Sequence, residues 1–120
     1  MQVEGYAGGL NMAKKIKVLI KRPDSKIYST HISDTLENLQ KIVGGYIETV
    51  TLWQDATVIC NEEGRIKELP YNCNIAGVDF YGTVIIVGVD GEEFGDVPID
   101  LKEAKILFPN LYSDTSSVTS

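Results

Sequence analysis

The run Val84-Ile85-Ile86-Val87-Gly88-Val89 constrains the fold of this 120-residue chain more than any other stretch. It is almost continuously apolar and rich in β-branched residues, so it reads as a strand buried on both faces or at the centre of a sheet. The rest of the chain must then supply a sheet around it. Residues 16–20 alternate as a half-buried strand, and residues 27–32 return as a second, across an Arg22-Pro23-Asp24-Ser25 turn. Residues 46–53 and 56–60 form a second expected hairpin about Gln54-Asp55. No apolar run approaches the ~20 residues that a membrane-crossing helix needs.

Between the hairpins lies one helix. Ser33, Asp34 and Thr35 are N-cap candidates, with Glu37 placed three after Asp34 for a capping box. Leu36, Leu39, Ile42 and Val43 make one apolar stripe, and Gly44-Gly45 stops the helix because glycine enters the left-handed conformation freely. Further on, Asn61-Glu62-Glu63-Gly64 is a reversal, residues 65–69 a short edge strand ended by Pro70, and residues 71–81 irregular. Leu101–Leu107 is a short closing helix before Pro109. The expected fold is α+β: a mostly antiparallel sheet packed by one main helix, with a short C-terminal helix. Residues 1–14 are expected as a flexible leader, 15–112 as the domain and 113–120 as a disordered polar tail.

Charge is distributed unevenly. Seventeen acids against eleven bases give −6. Eight of the acids lie between Asp79 and Asp114, where only Lys102 and Lys105 oppose them, so this segment carries the whole net charge. Such a surface repels phosphate backbones, so no direct nucleic-acid binding is expected. The bases gather at Lys14, Lys15, Lys17, Lys21, Arg22 and Lys26. Lys15, Lys17 and Lys21 share one strand parity opposite Ile16, Val18 and Ile20, which places them on a solvent face.

Catalytic patterns are weak. Cys60 and Cys73 form no Cys-x-x-Cys pair, and His31 stands alone, so neither a zinc site nor a hydrolytic triad assembles. Cys60 reads as a packed hydrophobe, and whether it pairs with Cys73 stays open. Gly44-Gly45 is too short for a phosphate loop. No cofactor or metal is expected. Asp90, Glu92, Glu93 and Asp96 lack the ligand ladder of a calcium loop, and read either as a solvated turn or as a face that docks onto a basic protein. Asn61, Glu62 and Arg65, with Tyr71, Asn72 and Asn74, are the best small-ligand candidates, able to stack and hydrogen-bond a base or sugar.

The succession Val43-Gly44-Gly45-Tyr46-Ile47-Glu48, then Asn61-Glu62-Glu63-Gly64, then Leu69-Pro70-Tyr71-Asn72, then Gly82-Thr83 before the apolar run, resembles an uncharacterised family. Its members are small proteins of phages and integrative or conjugative elements of Firmicutes and gut bacteria, catalogued as a domain of unknown function. The resemblance carries over Gly44, Gly45, Glu48, Asn61, Glu62, Gly64, Pro70 and Asn72, and implies an accessory gene of a mobile element. Two expectations follow. One is a non-enzymatic, cytoplasmic anti-defence inhibitor that binds a host protein through Asp90, Glu92, Glu93 and Asp96. The other is a small-nucleotide-binding protein that sequesters a host immune signal through the Asn61–Asn74 loops. Exposed edges in so small a sheet lead to the expectation of a dimer.

Overall fold

The computed structural model describes residues 14–111. The expected leader, Lys14 apart, and the expected tail lie outside the described residues. Two hairpins open the chain: β1 (Lys15–Lys21) with β2 (Tyr28–Ser33), and, after helix α1 (Leu36–Val43), β3 (Ile47–Trp53) with β4 (Ala56–Asn61). A third hairpin pairs β5 (Tyr71–Ile75) with β6 (Val78–Tyr81). Then come β7 (Val84–Asp90), β8 (Glu93–Gly95), helix α2 (Leu101–Leu107) and a 3-10 turn, Pro109–Leu111.

The apolar run occupies the middle of the molecule. The main sheet has the order β2-β1-β7-β4-β3, with β8 added to β7, and all its pairings are antiparallel. Val84–Val87 are fully buried because β7 has a strand on each side and cover on each face. On one face α1 packs Leu39 and Val43 against Ile16, Val18, Ile59, Ile85 and Val87. On the other, Cys73, Ile75 and Phe80 of the β5–β6 hairpin, Ala104 of α2 and Leu111 pack against Leu19, Val58, Cys60, Val84 and Ile86. The architecture is the expected α+β fold, with a main helix and a short C-terminal helix. Its second covering layer goes beyond the one-helix picture.

Four local expectations are corrected. Residues 65–69 form no strand: residues 62–68 are successive turns, in which Lys67 and Leu69 N–H groups donate back to Glu63 and Gly64. Residues 71–81 are not irregular but a two-stranded sheet. Its two-residue turn sets both Ala76 and Gly77 at positive φ, the conformation that suits a tight hairpin. Lys21 does not face solvent. It is 2 % exposed, on the same side of β1 as Leu19, beneath the β5–β6 layer that its strand alone does not reveal. Helix α1 is capped by Thr35, whose side chain accepts the Asn38 N–H, rather than by an Asp34–Glu37 box. The capping box occurs instead in α2, between Asp100 and Glu103.

Candidate functional site

The quoted motifs converge at one end of the sheet. Asn61 ends β4 and is buried, its amide donating to the Val43 carbonyl at 3.1 Å and its side-chain oxygen accepting the Glu63 N–H at 2.7 Å. One side chain therefore ties the C-terminus of α1 to the following turn, and Gly45 stays bare above it: a Cβ there would sit 2.9 Å from the Asn61 amide. Gly64 is equally constrained, since a Cβ would meet the Tyr81 carbonyl oxygen at 2.7 Å. Asn72 is buried as well. Its amide donates to the carbonyls of Lys21 and Gly82, both at 2.8 Å, and its oxygen accepts from Lys21 Nζ at 3.1 Å. Asn61 and Asn72 thus direct their polar atoms into the fold.

The other ligand candidates gather outside that junction. Arg65 lies over the Tyr81 ring, 5.0 Å from its centroid, and Tyr71 meets Tyr81 edge-on at 5.4 Å. Asp79 accepts from Asn74 at 2.9 Å and from the Tyr71 hydroxyl at 3.2 Å. Those two hydrogen bonds, Asn74 first, hold the Asp79 carboxyl below its usual range. Desolvation and the bond to Asp79 push the Tyr71 hydroxyl upward. Beside the cluster, Glu48, Glu62, Arg65 and Tyr81 line a cleft of about 160 Å³. Tyr81 and Asp79 were not singled out from sequence because residues 71–81 carry no clear alternation, so their shared exposed face was hidden.

The acidic candidates occupy the opposite end, at the β7–β8 turn. Asp90 and Asp96 line a cleft of about 440 Å³ together with Asp55, Lys14 and Lys15. Glu92 and Glu93 line an adjacent cleft of about 270 Å³ with Thr49, Thr51, Trp53 and Phe94. Asp96 is partly engaged, since its carboxylate accepts the Lys17 N–H at 2.8 Å, and Glu93 reaches Lys14 at 3.9 Å. Asp55 is a carboxylate that sequence reasoning did not select. It arrives through the β3–β4 turn, whose carbonyl at Asp55 accepts the Val89 N–H. Gly88 allows the chain after β8 to lie against β7, because a Cβ there would fall 2.0 Å from the Asp96 carbonyl oxygen.

Both thiols are free and buried in the same apolar cluster. Burial, above all, pushes each to about 11, so neither is a thiolate nucleophile near neutral pH. Among the described residues, no group of three or more His, Cys, Asp or Glu side chains is placed to hold a metal ion. Nor, among them, is any helix long and apolar enough to cross a membrane.

Compared with known proteins, residues 16–108 match the model of a domain of unknown function, DUF3846. No curated protein and no solved structure matches the chain.

Proposed function

The chain belongs to the DUF3846 family, a domain of unknown function, and from that premise we propose a non-enzymatic binding protein that docks its acidic end onto a basic protein surface. In the setting implied by the motif resemblance, the protein is an accessory product of a phage or other mobile element, and the partner is a host defence component that it inhibits. The observation that carries this reading is the cleft at the β7–β8 turn. Among the described residues, Asp55, Asp90 and Asp96 line it with Lys14 and Lys15 as its bases, and Glu92 and Glu93 stand just beyond. Its volume of about 440 Å³ admits a long side chain, and its carboxylates favour a lysine or arginine over a phosphate.

The test is co-purification from a host lysate, followed by a salt titration of the recovered complex. Asp90→Lys/Glu92→Lys is the informative variant, because neither carboxylate carries one of the backbone contacts described above. Wild-type protein is expected to retain a basic partner whose affinity falls steeply with salt, and the variant to lose at least about tenfold. Equal retention by both proteins refutes the acidic-end assignment.

A second reading is favoured by the Arg65–Tyr81–Tyr71 cluster, which presents aromatic and guanidinium surface of the kind that stacks on a nucleobase. It ranks below the first. Asn61 and Asn72 spend their polar groups inside the fold, and the adjoining cleft of about 160 Å³ is smaller than the ~300 Å³ of ordinary ligand pockets. Native mass spectrometry showing a bound mass of a few hundred daltons, lost in Arg65→Ala, would reverse the order.

A further inference from the structure

Among the described residues, strand β3 forms one outer edge of the main sheet and pairs with β4 alone. Which of its backbone groups point away from β4 follows from the register. The Glu62 N–H donates to the Tyr46 carbonyl, so positions 46 and 62 are a hydrogen-bonded pair. Antiparallel pairing alternates, so Glu48 and Val50 also direct their N–H and C=O toward β4, opposite Cys60 and Val58. Consistently, the Val50 carbonyl also accepts the Thr57 hydroxyl at 3.0 Å. Thr49 and Thr51 therefore point their backbone groups away from β4. Their side chains are exposed, while Val50 and Leu52 pack toward the other face of the sheet.

We infer that the β3 edge pairs with the β3 edge of a second copy of this chain, antiparallel about a two-fold axis at Val50. That register sets Thr49 of each protomer opposite Thr51 of its partner, and these are the residues whose backbone groups face outward. Two such pairs exchange about four hydrogen bonds. Val50 faces its own copy, Thr faces Thr, and Glu48 faces Leu52, so no carboxylate meets its equivalent across the axis. Opposed β-branched and Thr–Thr pairs are favourable in sheets, whereas opposed like charges are not. The neighbouring registers are poorer. A shift toward the N-terminus draws in Ile47, which is buried. A shift the other way sets more of the strand against the irregularity between Thr51 and Trp53, which the inferred register meets only at its end, at Leu52. The strand is self-complementary over Glu48 to Leu52, and that favours a second copy over an unrelated extended segment. The inference does not rest on the acidic-end reading, although Thr49 and Thr51 also line the cleft that holds Glu92 and Glu93.

The experiment is sedimentation equilibrium and native mass spectrometry of the full chain from roughly 1 to 100 μM, a range that spans micromolar self-association. Wild-type protein is expected to dimerise. Thr51→Pro removes an outward N–H that no neighbour on β4 uses, and is expected to raise the dissociation constant at least about tenfold with the circular dichroism unchanged. Two doubles guard against misfolding. Thr49→Lys/Thr51→Lys and Thr49→Glu/Thr51→Glu are each expected to be monomeric alone, and to form a 1:1 heterodimer when mixed. The inference is overturned by a wild-type chain still monomeric at roughly 100 μM, which leaves the edge to an extended segment of another protein. It is equally overturned by doubles that stay dimeric, or by loss of the dimer only in Ser29→Glu/His31→Glu on the opposite edge.

Discussion

The two faces of the main sheet are closed by unlike means. Against α1 the buried side chains are aliphatic throughout, with Leu39 and Val43 laid over Ile16, Val18, Ile59 and Ile85. Against β5–β6 and α2 the cluster mixes aliphatic groups with Cys60, Cys73 and Phe80, and a buried Lys21–Asn72 pair adjoins it. The first face needs only the correct period and enough apolar area. The second needs particular partners, because a buried ammonium and a buried amide are costly unless their hydrogen bonds are made. Substitutions on the two faces should therefore fail differently.

The largest loss is expected on the aliphatic face. Leu39 is fully buried, and Leu39→Ala should cost about 2–5 kcal/mol in denaturant unfolding, through lost transfer energy and the cavity left behind. On the mixed face, Asn72→Ala strips one acceptor from the Lys21 ammonium and two donors from backbone carbonyls, at about 2–3 kcal/mol. What separates the faces is the rescue. Lys21→Met with Asn72→Leu should recover the part of that loss that comes from the stranded ammonium, while the Lys21 and Gly82 carbonyls still lack the donors that Asn72 supplied. If the double is as unstable as the single, the polar pair is not what distinguishes the second face.

Smaller effects sharpen the contrast through the two helices. Asp100→Ala breaks the α2 capping box and should cost about 1–2 kcal/mol, while Thr35→Ala removes a single cap bond from α1, at about 1 kcal/mol. Both are read from the same unfolding curves. The pH dependence is gentler and falls on the mixed face alone. Cys60 and Cys73 are raised from 9.0 to about 11 in the folded chain. The unfolded thiols ionise first, so the stability linked to them is intact below pH 9 and declines as pH rises toward 11. Cys73→Val should flatten that decline in unfolding curves taken at pH 8 to 11, and an unchanged slope would assign it to other groups.

The same asymmetry governed what could be read before the fold was in hand. Helix α1, its Gly44 stop, the two leading hairpins, β7 and the span of α2 all follow local rules of period, capping and turn chemistry. The β5–β6 hairpin does not. Tyr71-Asn72-Cys73-Asn74 alternates in no simple way because of a register shift between Tyr71 and Cys73, and its turn places an alanine, Ala76, at positive φ. Lys21 misled for a related reason: strand parity assigns a lysine to water unless a second layer is known to cover it. At the candidate sites, Asn61 and Asn72 were recognisable as special residues, but their roles depend on carbonyls of Val43, Lys21 and Gly82, set far apart in sequence. Asp55 joined Asp90 and Asp96 only through the meeting of two turns.

The central place of β7 also has a consequence for synthesis. It is the last of the long strands to be made, yet among the described strands it alone joins the β1–β2 hairpin to the β3–β4 hairpin. Until residue 90 leaves the ribosome, those hairpins are two separate apolar ribbons with no common sheet. At ordinary elongation speeds, the interval between completion of β4 and emergence of β7 lasts on the order of a few seconds. During that time Leu19 and Val58 each have a strand on one side only, and the exposed ribbons favour holding chaperones or dilution. Burst expression should therefore lower the yield of native protein well before it exhausts the supply of message.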